Sequence, residues 1–262
     1  MTSFLMTAQQ VYDATVPAGS LTVWALGQSG FLFKDHTGLL VAIDPCLTDP
    51  VVRVDTRWAR LYPPPLRPED LAADLVVLTH DHLDHLDPGT IARLDKEAVK
   101  AFVGPGSVCR HLASLGIQPD RILRLDAAQS ISVARLKLTG VLALTNDPTI
   151  PDAEGIVIQF PGGPALYHTG DTGFSALLAH AAHSRPTIYL PCINGKYGNM
   201  NAWEAAVLGA ALHPAWAIPH HYDMFQDNLA EPGAFVEAMR LLAPCTRCTV
   251  LGPGRFSILE GQ

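Results

Sequence analysis

The chain has 262 residues, 48% of them hydrophobic and 16% charged, with a formal net charge of −7 from 18 Lys+Arg against 25 Asp+Glu. Such a chain can bury a large core as one domain over residues 1–262, and it lacks the basic runs and interleaved aromatics that meet a phosphate backbone, so no nucleic-acid partner is expected. No apolar run is long enough for a bilayer, and Met1 to Gln10 lacks the basic start and apolar middle of a signal peptide, which predicts a cytoplasmic protein without membrane attachment.

Short strand-like runs come first, at Leu21 to Leu26, Gly30 to Lys34 and Leu39 to Ile43, with turn signals between them that predict an antiparallel start. The stretch from Asp49 to Asp70 then mixes Pro50, Pro63, Pro64, Pro65 and Pro68 with Arg53, Arg57, Trp58, Arg60 and Arg67. So long a segment without regular pattern is either a floppy insertion or a loop over a site, and the second is the expectation. Its arginines fit substrate contact and a solvated face equally well. A buried strand at Leu75 to Leu78 follows, then helices at Pro88 to Leu94 and Ser107 to Leu115 around a strand at Val99 to Val103. Strands are expected at Ile122 to Leu125, Ile131 to Val133, Leu136 to Leu144, Gly155 to Phe160 and Ala165 to His168. Helices at Ser175 to Ala182 and Trp203 to Leu212 flank a strand at Thr187 to Leu190. Ala215 to Pro219, a helix at Pro232 to Leu242 and a terminal strand near Cys248 to Leu251 complete an α/β pattern, a four-layer αββα sandwich.

Chemistry concentrates directly after the strand at Leu75 to Leu78, where Thr79-His80-Asp81-His82-Leu83-Asp84-His85 packs three imidazoles and two carboxylates into seven positions. His80 and His82 are two apart on extended backbone and share a side, whereas Asp84 and His85 follow once the chain turns. Two ligand pairs facing slightly different ways suit two adjacent divalent ions. The five cysteines, Cys46, Cys109, Cys192, Cys245 and Cys248, are odd in number and scattered, and reduced thiols are expected. Cys245 and Cys248 form a lone CxxC with no second pair, and Cys46 and Cys192 read as small buried hydrophobes.

His80, His82, Asp84 and His85 resemble the His-x-His-x-Asp-His signature of the metallo-β-lactamase superfamily, which implies the fold of that name. Asp44 resembles the family's early aspartate, which supports the site from behind. Asp171, in Tyr167-His168-Thr169-Gly170-Asp171-Thr172, resembles the aspartate that bridges two metals, and Pro219-His220-His221-Tyr222 resembles the last histidine segment, with His221 the better match and His220 its competitor. The likeness spans Leu21 to Phe256. Three segments, Trp24 to Phe31, Asn199 to Ala206 and Pro219 to Asp223, are similar to the branch typified by L-ascorbate-6-phosphate lactonase.

One departure matters. The superfamily places a further histidine after the strand that here is Leu136 to Leu144, and this chain reads Thr145-Asn146-Asp147-Pro148 instead. Water, Asn146 or Asp147 would have to fill that place, which favours Mn²⁺ over tightly held Zn²⁺, or else a single ion binds at Asp84, His85, Asp171 and His221. His168, on the strand before Asp171, should point away as a hydrogen-bonded core histidine.

The resemblance implies a metal-dependent hydrolase acting through metal-bound hydroxide on a small molecule, a lactone or cyclic ester with or without a phosphate. Asp171 would hold the hydroxide, and Asp81 or Asp84 would orient it or return a proton. The glycine-bounded loop Gly195 to Asn199 offers Lys196 and Tyr197 to substrate, beside Asn146 and His220 as weaker candidates. The alternatives are a phosphodiesterase on a small phosphodiester and a metal-binding regulatory member without catalysis. Relatives that assemble leave a homo-oligomer open.

Overall fold

The computed structural model describes residues 5–53, 55 and 58–260. The first part of the chain supplies α1 (Ala8–Asp13), β1 (Ser20–Gly27), β2 (Gly30–Asp35), β3 (Leu40–Ile43), β4 (Leu75–Val77), α2 (Pro88–Arg93), β5 (Ala101–Gly104), α3 (Gly106–Ser114) and β6 (Ile122–Arg124). The second supplies β7 (Ser130–Val133), β8 (Leu136–Leu142), β9 (Glu154–Gln159), β10 (Ala165–His168) and β11 (Ile188–Leu190). It continues through α4 (Ala202–Leu212), β12 (Trp216–Ala217), α5 (Pro232–Leu242), β13 (Arg247–Cys248) and β14 (Phe256–Glu260).

Two mixed seven-stranded sheets result, in the orders β14-β1-β2-β3-β4-β5-β6 and β13-β12-β11-β10-β9-β8-β7. Each runs antiparallel on one side and parallel on the other, with β3 to β6 parallel in the first and β10 to β13 parallel in the second. Strand alternation divides the core into three layers. Val23, Phe31, Phe33, Val41, Val77, Leu138, Ile156 and Ile158 meet between the sheets. Leu26, Leu32, Val76 and Phe102 pack outward against Ile91 of α2 and Val108 and Leu112 of α3. On the far side Val157, Tyr167 and Tyr189 pack against α4 and α5 through Ala205, Leu208, Phe235 and Met239. This is the expected αββα sandwich.

Three elements depart from expectation. The six-residue α1 is too short to display a helical period, and it forms on a Thr7–Gln10 capping box, with Lys34 Nζ on the carbonyls of Val11, Tyr12 and Ala14. The segment Ala176–Ser184 is a 3-10 helix, because apolar spacing over nine residues does not distinguish i+3 from i+4 hydrogen bonds. The chain also continues past Leu251 into β14, which returns to the first sheet and pairs antiparallel with β1. Among the described residues no helix is long and apolar enough to cross a membrane.

Glu154, at the start of β9, is fully buried, and neither carboxylate oxygen has a hydrogen-bond partner. A Cβ at Gly140 on the neighbouring strand would lie 2.2 Å from its Oε2 and 2.5 Å from the Asp126 carbonyl, so only glycine leaves this carboxyl room. Burial, reinforced by Asp126 and Asp152, pushes Glu154 up to about 9. A raised carboxyl favours the fold while it stays protonated, and that contribution drains away as pH rises from the unfolded value toward the folded one. Glu154→Gln should therefore gain thermal stability over the wild type by a margin that widens from pH 5 to pH 9, read as the difference in Tm by scanning calorimetry. A margin independent of pH would show that Glu154 does not titrate in this range.

Candidate metal centre

Five loops at the carboxyl ends of β3, β4, β10, β12 and the β1–β2 turn converge on one point. Gly30 must stay bare in that turn, because a Cβ there would lie 3.1 Å from the Asp44 carbonyl. Asp44, just after β3, takes a left-handed φ of 44 although it is not glycine, which costs energy and marks a backbone held in place by its surroundings. Its fully buried carboxylate accepts from Thr79 N at 2.9 Å, Thr79 Oγ1 at 2.7 Å and His85 Nδ1 at 2.8 Å. After β4 the chain bends at Thr79 and turns at Leu83 to His85, where His85 N and Leu86 N both donate to the His82 carbonyl.

These bonds dictate where the imidazole lone pairs point. Thr79 Oγ1 donates to Asp44, so it accepts from His80 Nδ1, 3.0 Å away, and His80 Nε2 is left bare. His82 Nε2 lies 3.0 Å from Asp147 Oδ2 and donates to it, which leaves His82 Nδ1 bare. The two bare nitrogens face each other at 3.1 Å. With Asp44 on its Nδ1, His85 likewise turns Nε2 to the carboxylates, 3.3 Å from Asp171 Oδ1 and 3.8 Å from Asp84 Oδ2. His85 Nε2 and Asp171 Oδ1 are buried without a hydrogen-bond partner. Lone pairs aimed at one another repel unless a cation lies between them, so the donor set fits a divalent ion. The groups His80, His85, Asp171 and Asp84, His85, His221 each bring ligand atoms within 4.8 Å of one another.

The electrostatics agree. Burial and the neighbouring His85 hold His80 well below the usual imidazole range, keeping it neutral as ligation requires. Burial pulls His85 down, but Asp171, Asp84 and Asp44 outweigh it and carry the imidazole well above its usual range. For Asp171 burial raises the carboxyl, but the neighbouring His221 and His85 and their hydrogen bonds outweigh it and hold the carboxyl well below the usual value; Asp84 is likewise lowered, by His85 and His221 against burial. Without metal, a protonated His85 balances these carboxylates.

His221 reaches the same point from after β12, with φ 63, its Nε2 lying 3.1 Å from Asp171 Oδ2 and 3.6 Å from Asp84 Oδ2. Its Nδ1 lies 2.8 Å from the Asn228 amide, which in turn contacts Asn194 at 2.6 Å. Asn228 faces His221 Nδ1 with its Nδ2 and accepts on Oδ1 from Asn194 Nδ2, and Gln28 Nε2 lies 3.2 Å from His221 Nε2, so the ring is held between two side-chain amides with Nε2 toward the carboxylates. Gln28 Nε2 donates to Asp84 Oδ2 at 2.7 Å and Asn199 Nδ2 to Asp171 Oδ2 at 3.0 Å.

Thus His80, His82, Asp84, His85, Asp171 and His221 come together, with Asp44 behind them. The competitor His220 does not join: it is buried, with Nε2 on the Leu190 carbonyl and Nδ1 on Ser29 Oγ, and it stacks at 4.2 Å on His168. It does not line the cavity. His168 is the hydrogen-bonded core residue expected, between the Ser29 carbonyl and Gly170 N. Asp81 is corrected as well. While His80 and His82 meet each other, Asp81 between them faces His111 at 4.0 Å, and it does not line the cavity. Asp147 stands on the outer nitrogen of His82, opposite the one that faces His80, so it orients that ring instead of occupying the missing histidine's place.

A cavity of about 630 Å³ opens from His82, Asp84, Asp171 and His221, and Asn146, Tyr197 and Asn199 also line it. Lys196 does not, because its Nζ is bound to the Asp227 carbonyl. The segment from Asp49 to Asp70 does reach the site, through Val51 and Trp58. Arg60 instead binds the Cys46 and Thr48 carbonyls, Arg67 pairs with Asp70, and Arg57 lies outside the described residues. Sequence reasoning assigned no role to Gln28, Thr79 or Asn228. The turn Gly27 to Gly30 was the one available signal for Gln28, whose φ of 52 is again left-handed. All five cysteines are free, and burial pushes Cys192 up to about 12 and, with Asp87, raises Cys46 well above the usual thiol range.

The family comparison decides the affiliation. The family described as the beta-lactamase superfamily domain matches residues 41–222. The chain belongs to the metallo-β-lactamase superfamily. Within it, a UPF0173 metal-dependent hydrolase of Polaromonas sp. is 30% identical over 260 residues, covering 90% of this chain and 89% of the relative, which sets the chain in that metal-dependent hydrolase family. Another, from Polynucleobacter asymbioticus, is 28% identical over 249 residues, covering 86% and 82%. Among solved structures, Igni18, described as a novel metallo hydrolase from Ignicoccus hospitalis, superposes with a TM-score of 0.76 at 25% identity, over 93% of this chain and 100% of that one. The superfamily's metal chemistry is thus the chemistry to which these lone pairs must answer.

Two outcomes follow for metal binding. Because a cation must displace the proton held on His85, apparent Zn²⁺ or Mn²⁺ affinity should fall about tenfold per pH unit below that imidazole's raised value. Calorimetry in buffers of differing ionisation enthalpy measures the released proton. Asp44→Asn, which removes the anionic partner of His85 Nδ1, should weaken metal binding by about 10–100-fold with the circular dichroism spectrum retained. Wild-type affinity in that variant would show that Asp44 only supports the loop.

Proposed function

We propose that this chain is a hydrolase that cleaves a lactone or related cyclic ester with the help of one or two divalent ions, Mn²⁺ or Zn²⁺. The observation that carries the reading is the convergence of ligand atoms from His80, His85 and Asp171 and from Asp84, His85 and His221, each group within 4.8 Å, with His82 Nδ1 3.1 Å from His80 Nε2. When bound, a divalent cation supplies a water of lowered pKa and polarises the carbonyl under attack.

The chain's own residues do the rest. His80, His82, Asp84, His85, Asp171 and His221 would hold one or two such ions. Asn199 donates to Asp171 Oδ2, which orients the carboxylate and leaves Oδ1 toward His85. With Asp81 turned away, Asp84 is the carboxylate at the cavity wall that can take a proton from the attacking water and return it to the leaving alkoxide. Gln28 fixes its Oδ2, so the proton would travel on Oδ1. No side-chain nucleophile competes, since the thiols of Cys46 and Cys192 are buried and protonated near neutral pH. Support for a lactone over other esters comes from the three segments similar to the lactonase-like branch.

His82→Ala and Asp171→Ala should each lower kcat/KM on lactones by at least about a thousandfold while leaving the fold intact by circular dichroism. Asp81→Asn should stay within about threefold of wild type, a split that assigns the proton to Asp84. The assay is a lactone panel run beside phosphodiesters after loading with Mn²⁺ or Zn²⁺. Turnover of phosphodiesters alone would move the function to that class, and retained activity in Asp171→Ala would remove the proposed site.

A further inference from the structure

The cavity beside the proposed centre is not uniform. Val51, Trp58, Leu83, Pro148, Ile150 and Tyr197 give it an apolar wall, whereas its charged contributions among the described residues are the carboxylates of Asp84, Asp147 and Asp171. One of these apolar residues is held there at a cost. Tyr197 has a left-handed φ of 56 between Gly195 and Gly198, and it leaves a large aromatic side chain 59% exposed. Its ring meets Trp58 at 5.4 Å, and Trp58 meets Phe225 edge-on at 5.4 Å, so the two rings form a continuous aromatic edge to the cavity. An exposed aromatic on a strained backbone is not explained by core packing, since burial offers it little return.

The same loop connects this edge to the reacting groups. Asn199, two residues beyond Tyr197, donates to Asp171, and a Cβ at Gly198 would lie 2.6 Å from the Asn146 side chain on the opposite wall. Lys196, the loop's one cation, is turned outward to the Asp227 carbonyl. A volume of about 630 Å³ falls within the range of small-molecule sites.

Resting on the hydrolase reading, we propose that the substrate is an uncharged ester or lactone bearing an alkyl or aryl substituent, which Trp58 and Tyr197 bind while the carbonyl faces His82 and Asp171. The wall gives a phosphate no partner of its own, since none of its described residues is a lysine or arginine and only ions held at Asp84 and Asp171 would meet a dianion, whereas an alkyl or aryl group meets Trp58 and Tyr197 directly.

The test uses the full-length, metal-loaded protein with a series of γ-lactones of increasing alkyl length. Matching γ-lactams serve as unreactive probes by isothermal titration calorimetry. In the wild type, lactam affinity should rise by about fourfold per added methylene until the cavity is filled, with kcat/KM for the lactones following the same slope. Trp58→Ala and Tyr197→Ala should flatten both slopes, with about a tenfold loss on the longer members, while Trp58→Phe restores most of the slope. Metal content measured by mass spectrometry should not change. Tyr197 is exposed, so its variant remains informative if Trp58→Ala folds poorly. Affinity independent of chain length in the wild type, slopes preserved in both alanine variants, or preference for a phosphorylated lactone over its parent would each overturn the proposal. Absence of turnover on every lactone would count against the hydrolase reading alone, because the lactam series still decides the apolar wall.

Discussion

The site hangs on a single buried carboxylate. Asp44 is dry, anionic and held in a backbone conformation that a non-glycine residue adopts only under constraint, and its three accepted hydrogen bonds determine what Thr79 and His85 can do. Because Thr79 spends its hydroxyl proton on Asp44, its oxygen can only accept from His80, and because His85 spends Nδ1–H there, its Nε2 faces forward. One charge therefore fixes the tautomers of two imidazoles. A charge so placed would be costly unless it were fully bonded, and here it is.

The architecture explains how distant residues come to share that point. In each sheet the parallel strands run in one direction, and the loops leaving β3, β4, β10 and β12 carry Asp44, His80 to His85, Asp171 and His221 respectively. Loops at the carboxyl ends of parallel strands open a crevice in which side chains from separate parts of the chain can meet, and the rigid sheets on either side limit how far they can drift. The antiparallel strands at β1–β2 add Gln28 from the turn between them. Positive φ at Gln28, Asp44, Tyr197 and His221 places the strained backbone of four loops around one cavity.

What could be read from the sequence follows from how local each interaction is. His80, His82, Asp84 and His85 were legible because their geometry is set within seven residues by a bend and a turn. Asp171 and His221 carry no local signal, and only resemblance pointed to them. Asp81 was misread because composition counts carboxylates while the path of the backbone decides which of them face the site. The roles of Asn228, Gln28 and Asp147 were invisible, since each depends on which nitrogen or oxygen of a partner far away in the chain it touches. The same holds for the fold: alternating strands with turns were found, but the edge strand β14, whose Phe256 and Ile258 lie partly in solvent, and the short helix α1 owe their existence to neighbours more than to pattern.

The absent histidine acquires a physical meaning in this setting. Asp147 lies where that residue would be expected in the chain, yet it meets His82 from the outer side, and both side chains are about one-third exposed, at 35% and 36%. His85 and His221, by contrast, are 0% and 4% exposed and are braced from behind by Asp44 and Asn228. If two cations bind, their positions are therefore unequal. One is dry and rigid, with His85 fixed in a single tautomer by Asp44 and His221 packed against Asn228. The other is open to the cavity, with two imidazoles and an exposed carboxylate that polarises one of them. A carboxylate on the far nitrogen strengthens an imidazole as a donor without occupying a coordination place. The replacement thus keeps His82 oriented without adding a ligand of its own, and an ion held by His80 and His82 would have fewer protein donors than one held by Asp84, His85 and His221.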